Sequence, residues 1–499
     1  MLYYATTHFL RYNYRKDFGT MFFGREEYIE QLNNLLRKRT ASLVTCRGRR
    51  RIGKSTLVEM FAARAHCRFI KIEGRRPQPG LANQDELAIF ARQLADQSTA
   101  ESTPPSCWSD AFRRLSSQIA DGEPTVVLLD EVSWLAHYDK CFADDLKIAW
   151  DNLFRKHDRL ILVLCSSVSS WLKDNLIDNG AFMGRRSLDL VVKELPLRDC
   201  VKFWGQAASR IAPREIIDVL SVTGGIPRYL EEIDPALPAT ENIRRLCFRP
   251  NCVLRVDFDE MFRDVIVREQ SFAATVLRSL ADGAKTGAEI NRALKLEKGG
   301  RVANALTLLK EAGLVAADSC QNPETGKFPR EIRYRLRDNY SRFYLKYIEP
   351  LKAIIDEGAF NFASLDTLEG IDTVLGLAFE NLVVNNFREL LGPLNLGGAL
   401  VTSAAPYLRR PTKGKPGQPG CQIDLLVQTR RTICIIEIKR RKEIGREVID
   451  EVDEKLRAIK RPRGVSVRTA LVYDGSLAPI IASDGYFDAI VPFSSLLGI

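Results

Sequence analysis

The chain has 499 residues, 45% of them hydrophobic, and a formal net charge of +10. That length suggests about three domains with real cores and excludes wholesale disorder. No apolar run approaches the roughly 20 residues needed to span a bilayer, the longest being Leu160 to Cys165, so no membrane partner is expected. The first residues, "MLYYATTHFLRYNYRKDFG", lack a basic segment followed by an apolar stretch and a small-residue cleavage site, and no secretion signal is expected. Eleven cysteines, none in a Cys-x2-Cys pair, and four unclustered histidines argue for a reduced, cytoplasmic protein without zinc.

Taken in chain order, "ASLVTC" (Ala41 to Cys46) is an apolar strand that runs into "RGRRRIGKST" and then the helical pattern "STLVEMFAARA". Strand, glycine loop and helix form the context of a phosphate-binding loop, spaced Gly48-x4-Gly53-Lys54-Ser55. Gly48 and Gly53 permit a tight loop whose N–H groups turn toward phosphates, and the helix adds its positive end. Lys54 would reach the β- and γ-phosphates of ATP and Ser55 would ligate Mg²⁺. Arg51 and Thr56, in and just after the loop, complete the candidate nucleotide contacts.

The next strong signal is "TVVLLDE", Thr125 to Glu131. A buried parallel strand delivers its last residues to the carboxyl edge of a sheet, where ligands bind. Asp130 would hold Mg²⁺ through water and Glu131 would polarise the attacking water. A third strand, "LILVLCSS", ends in hydroxyls, and Ser166 is either a γ-phosphate sensor or a helix N-cap. Further on, Arg185 or Arg186 precedes another strand. Either could reach a neighbouring subunit's nucleotide, or be an ordinary capping or solvated arginine.

"FFGREEYIEQL" (Phe22 to Leu32), "GRRRIGKSTL", "VVLLDE" and "TGGIPRYLEEI" (Thr223 to Ile233) occur in this order in prokaryotic, archaeal-type AAA+/STAND-like ATPases related to origin-recognition ATPases. The chain resembles that family over roughly residues 20 to 350. The resemblance implies a helical lid in which the Gly-x-Pro segment ending at Pro227 contacts nucleotide and Arg228 senses phosphate. The same stretch also reads as a helix-breaking turn.

From Gln270 the period is helical, with Val302, Leu306 and Leu309 on one face, and "LVAADSCQNPETGKFPREIRYRL" reads as two strands joined by a polar turn. Three helices and a hairpin make a winged-helix pattern. Arg301, Asn304 and Lys310 would face DNA if it binds DNA; alternatively the module packs as a lid on the ATPase. Asn339 to Leu351 reads as a packed aromatic helix.

In the last third, "CQIDLLVQ" and "RTICIIEIKRR" alternate like the strands of a hairpin. Glu437 and Lys439, two apart, share one face, and Asp424 enters from the partner strand. Two carboxylates from adjacent strands can hold one hard cation, and a lysine beside them supplies fixed positive charge for metal-assisted phosphodiester hydrolysis. Residues 365 to 499 resemble the PD-(D/E)xK restriction-endonuclease-like fold. That resemblance adds Glu380 as the helix acid and departs from the usual Pro-Asp pair at Ile423-Asp424. The other reading is a relic fold whose carboxylates only pair with lysine. The loop "RRPTKGKPGQPG" (Arg409 to Gly420) is a mobile surface insertion or a phosphate-backbone contact. From Val401 to Ile499 there are seventeen Lys/Arg and eleven Asp/Glu, so over half the basic surplus lies there, as suits a polyanion partner or plain solvated charge.

The expected architecture is α/β: a P-loop AAA+ ATPase core (1–195), a helical lid (196–265), a winged-helix domain (266–350) and a C-terminal restriction-endonuclease-like α/β domain (351–499). The expected activity is an ATP-controlled nuclease acting on DNA or another nucleic acid, with Mg²⁺ (or Mn²⁺ at the nuclease site), in a homo-oligomer. A defence or mobile-element role is the context that this architecture suggests.

Overall fold

The computed structural model describes residues 21–38, 40–167, 169–178, 180–256, 258, 270–297, 299–360, 363–411 and 420–499. The expected domain boundary near 265 and most of the basic loop at 409–420 lie outside them. The chain divides into two compact units, Met1–Leu195 and Pro196–Ile499.

The first unit is built on a five-stranded sheet with the order β2-β3-β4-β1-β5. Its strands are β1 (Ser42–Arg47), β2 (Arg68–Glu73), β3 (Thr125–Asp130), β4 (Leu160–Ser166) and β5 (Arg186–Val191). Every neighbouring pair is parallel, so each connection must cross over the sheet, and helices make the crossings. β3 and β4 are buried along their whole length, which explains their unbroken apolar sequence. Helix Trp108–Ser117 buries Trp108, Ala111, Phe112 and Leu115, spaced i, i+3, i+4 and i+7. Trp108 packs edge-on against Phe142 with ring centroids 4.7 Å apart, and its indole N–H donates to Asn83. Registers such as Glu73↔Asp130 and Arg47↔Ser166 bring the ends of β1 to β4 to one carboxyl edge.

The second unit begins with short helices, among them Leu197–Val201, Pro213–Thr223, Pro227–Leu230 and Ala239–Cys247. Helices Gln270–Ser279, Gly287–Ala293 and Arg301–Glu311 follow, with an antiparallel sheet of order β6-β8-β7. β7 (Val315–Asp318) and β8 (Arg333–Leu336) are the two strands legible in the sequence, and β6 (Lys285–Thr286) is a two-residue addition. A capping box between Thr286 and Glu289 starts the second helix of this group. The unit ends in a mixed sheet, β13-β12-β11-β10-β9. Its strands are β9 (Val401–Arg409), β10 (Cys421–Thr429), β11 (Thr432–Ile444), β12 (Ser466–Leu477) and β13 (Ala489–Pro492). β9, β10 and β11 are antiparallel neighbours, whereas β11, β12 and β13 run parallel. Helix Ile371–Asn385 packs on β10 and β11, and helix Glu447–Ala458 crosses from β11 to β12.

These parts of the second unit are tied by polar contacts. The Gln321 N–H donates to Ser403 Oγ (3.1 Å), and Gln428 Nε2 donates to the Gln321 carbonyl (2.7 Å). The buried Arg440 of β11 pairs with Asp218 of helix Pro213–Thr223 and with Asp474 of β12. Among the described residues no helix is long and apolar enough to cross a membrane.

Candidate functional site

The loop after β1 folds as its glycines demand. Gly48 has φ +152°, and a Cβ there would lie 2.4 Å from the Val192 carbonyl oxygen. Gly53, φ +83°, starts helix Lys54–Arg64, and Arg51 between them also has positive φ. Lys54 is buried, and its ammonium donates to the carbonyls of Gly48 and Arg49, both at 3.1 Å. Ser55 and Thr56 occupy the first helical turn and are half-buried. The structure therefore brings Gly48, Arg51, Gly53, Lys54, Ser55 and Thr56 together on one loop and helix start, the kind of backbone setting that binds anions.

Asp130 closes β3 and is 4% exposed. Its Oδ1 accepts from the Glu131 N–H at 3.1 Å, and its Oδ2 lies 3.5 Å from the Lys71 ammonium. Lys71 also meets Glu59 at 3.2 Å and Glu73 at 3.3 Å. Burial disfavours its charge, but Asp130, Glu59 and Glu73 outweigh that and raise its pKa. The sequence alone did not single out Lys71. Ser55 and Asp130 carry oxygen donors of the kind a hard cation takes, and the Lys71 ammonium lies against Asp130.

Glu131 adopts a left-handed backbone, φ +45°, rare for a residue with a side chain. Its Oε2 accepts from the Ser167 N–H (3.2 Å) and hydroxyl (2.9 Å). Burial pushes its carboxyl upward, with Lys54 the chief opposing charge. Gly74 lets the backbone at Glu131 pass close to the end of β2, since a Cβ there would lie 2.8 Å from the Glu131 carbonyl oxygen. Ser166 instead shares a hydrogen bond with Ser133 at 2.9 Å, so its neighbour Ser167 is the hydroxyl that meets the catalytic candidate. Arg185 forms a two-pronged pair with Asp151 (2.8 and 3.0 Å), which also meets Lys147. Pro227 and Arg228 belong to the second unit; Pro227 opens a helix and Arg228 pairs with Glu231 and Glu232 of that turn.

In the second unit Asp424 and Glu437 stand one step beyond the paired Leu425 and Ile436 of β10 and β11. Asp424 Oδ2 accepts from the Ile438 N–H at 2.9 Å. Glu437 is 1% exposed and is met from both sides, by Lys439 at 2.8 Å and by Lys455. Lys439 also holds Glu451 at 2.5 Å. Lys455 and Glu451 are a turn apart on helix Glu447–Ala458. Glu380 projects from helix Ile371–Asn385 into the same electrostatic neighbourhood. Burial first, then Asp424, lifts its carboxyl to about 7, while burial and Glu437 lift that of Asp424 to about 6. Glu380, Asp424, Glu437 and Lys439 are thus brought together. Three carboxylates are the right donors for a hard divalent ion. Among the described residues, however, no group of three or more His, Cys, Asp or Glu is gathered closely enough to hold a metal as it stands, and lysines take both Glu437 oxygens.

Residues 22–233 match the model of a family described as an ATPase domain predominantly from Archaea. An uncharacterized protein of Methanocaldococcus jannaschii, MJECL04, is 24% identical over 372 residues, covering 74% of this chain and 78% of that protein. Among solved structures, the Walker-type ATPase paby2304 of Pyrococcus abyssi is 19% identical with a TM-score of 0.47, over 65% of this chain and 96% of that one. The Aeropyrum pernix ORC2 protein, in ADPNP–ADP complexes, is 15% identical with a TM-score of 0.42, over 67% and 94%. The Thermotoga maritima RuvB Holliday junction branch migration motor is 14% identical with a TM-score of 0.34, over 59% and 90%. The family match and the loop geometry agree: the front of the chain carries an archaeal-type P-loop ATPase domain on a parallel α/β sheet.

Proposed function

We propose that the ATPase domain controls a metal-dependent nuclease in the second unit of the same chain, acting on DNA in the cytoplasm. The observation that carries this reading is the gathering of Glu380, Asp424, Glu437 and Lys439 at one hairpin. On the ATPase side, Lys54 and the N–H groups from Gly48 to Thr56 bind the phosphates, Ser55 and Asp130 hold Mg²⁺, and Glu131 orients the attacking water. Arg185 would serve a neighbouring subunit of a homo-oligomer after leaving Asp151. On the nuclease side, Asp424, Glu437 and Glu380 would hold Mg²⁺ or Mn²⁺. The ion, when bound, polarises the phosphoryl oxygen and acidifies water. Lys439 would keep positive charge beside the phosphate, and Lys455 would have to give up Glu437 to admit an ion.

Nucleic-acid binding is assigned to the winged-helix pattern at 270–336. Arg301, Asn304 and Lys310 occupy exposed positions on helix Arg301–Glu311. The contacts of Gln321 with Ser403 and Gln428 join this module to the hairpin sheet. A defence role fits such a machine.

The full pairing of Glu437 by two lysines favours a second reading, an ATP-switched DNA-binding regulator with an inert nuclease-like tail. Plasmid and single-stranded DNA incubated with Mg²⁺ or Mn²⁺, with and without ATP, separate the two. Cleavage by wild type that disappears in Glu437→Ala while ATP turnover persists supports the nuclease. Intact DNA with both proteins under every nucleotide condition supports the regulator.

A further inference from the structure

Lys71 lies against Asp130 and is a charged residue that the mechanism above leaves unused. It projects from β2 and is held from three separate elements: Glu59 of helix Lys54–Arg64, Glu73 at the end of its own strand, and Asp130 at the end of β3. Glu59 lies one helical turn after Ser55, on the same helix face. The Ser55 and Asp130 pair assigned to Mg²⁺ is therefore flanked by a group that already carries a positive charge. The contact to Asp130, at 3.5 Å, is the longest of the three, and Asp130 keeps its Glu131 N–H whether or not Lys71 stays.

We infer that Lys71 is a tethered counter-ion for the metal pole of the nucleotide site, neutralising Asp130 while the site is empty and yielding it to a divalent ion that arrives with the nucleotide. This rests on the phosphate-loop reading. Without Lys71, Asp130 would lose the ammonium at its Oδ2, and Glu59 and Glu73 would add uncompensated negative charge nearby, which favours a free cation. With it, a free divalent ion must expel an ammonium that the chain holds at high local concentration. An ion accompanied by phosphate oxygens brings additional ligands and tips the exchange. The displaced ammonium is not stranded, because Glu59 and Glu73 retain it. Three partners instead of one are what make the release of Asp130 possible.

The test is Mn²⁺ binding to the full chain without nucleotide, followed by loss of the free-ion electron paramagnetic resonance signal. Wild type and Lys71→Arg are expected to bind equally, and Lys71→Met at least about tenfold more tightly (about 1.4 kcal/mol). Adding Asp130→Asn to Lys71→Met should abolish the gain, and any ion at the hairpin cluster is common to all variants and subtracts out. Equal binding by wild type and Lys71→Met overturns the inference. If Lys71→Met loses its circular dichroism, Glu59→Gln/Lys71→Met keeps the local charge of wild type and serves instead; it should still bind more tightly, and equality again overturns the inference. A fluorescent ATP analogue that fails to bind wild type with Mg²⁺ would overturn the phosphate-loop reading and the inference with it. Nucleotide binding with unchanged Mn²⁺ affinity overturns the inference alone.

Discussion

The two acidic centres solve the same electrostatic problem differently. Asp130 and Glu437 are both almost completely buried, and both are neutralised by lysine within their own unit. At Asp130 the lysine sits at 3.5 Å and has two other carboxylates to fall back on. At Glu437 two lysines close on one carboxylate, and Lys455 has no other acid among its described pairs. On the inference above, the first arrangement should give way to a competing cation more readily. The second should resist more, because an incoming ion must part Glu437 from two lysines at once. Burial of a carboxylate therefore does not by itself tell a metal site from a lock; the number of alternatives open to its counter-ion does.

Glu437→Ala tests this contrast most severely. On the nuclease reading, cleavage should fall at least about 1,000-fold, since a metal ligand is lost. The substitution also leaves Lys439 and Lys455 facing a void, and a loss of about 2–4 kcal/mol in urea unfolding is expected. Cleavage that survives would remove the hairpin from catalysis; stability that survives would mean the lysines do not lock it.

Lys54→Ala is the counterpart at the other centre. ATP turnover should fall at least about 100-fold, because the ammonium is positioned for charge developing on the phosphates. Urea unfolding of this variant should change less than that of Glu437→Ala, since the described bonds of Lys54 go to two loop carbonyls and not to a carboxylate. A large loss of stability here would erase the distinction between a functional and a locking lysine.

How much of each centre the sequence reveals follows the same line. The phosphate loop is contiguous, and its glycines, lysine and serine act through neighbouring backbone, so "GRRRIGKST" suffices to place them. Lys71 is invisible because its role depends on β2 lying beside β3, a strand order that no local pattern encodes. Ser167 was missed for its neighbour Ser166 because side chains alternate at a strand end, and one residue decides which hydroxyl faces Glu131 and which turns to Ser133. In the second unit, alternation along β10 and β11 placed Asp424, Glu437 and Lys439, while Glu451 and Lys455 came from a helix whose sheet-facing side the periodicity alone could not orient. The two-residue β6 is too short to carry any pattern.

Arg440→Ala is expected to cost about 2–3 kcal/mol in urea unfolding. It follows Lys439 directly, is only 6% exposed, and is held by Asp218 and Asp474. Burial already pushes the Asp218 carboxyl upward, with Arg440 the leading opposing charge, so its removal leaves Asp218 and Asp474 to the more exposed Arg214. ATP binding should be untouched, because these residues all lie in the second unit. Loss of ATP binding together with stability would show that the two centres are energetically joined, and the comparison between them would have to be redrawn.

Ser167→Ala has the smallest expected effect and is the sharpest probe of the first centre. The hydroxyl and N–H of Ser167 both donate to one Glu131 oxygen, and the substitution removes only the hydroxyl. A hydrogen bond to a charged group contributes about 1.5–3 kcal/mol when buried. The surviving N–H bond and the attraction of Lys54 retain part of that restraint. If Ser167 holds Glu131 away from the attacking water, basal ATP turnover should rise about threefold, with nucleotide affinity unchanged. If the hydroxyl instead fixes Glu131 in its working position, turnover falls by a similar factor. The direction of the change decides between restraint and support, and a Ser167→Thr variant that restores wild-type turnover ties the effect to the hydroxyl and not to the cavity left behind.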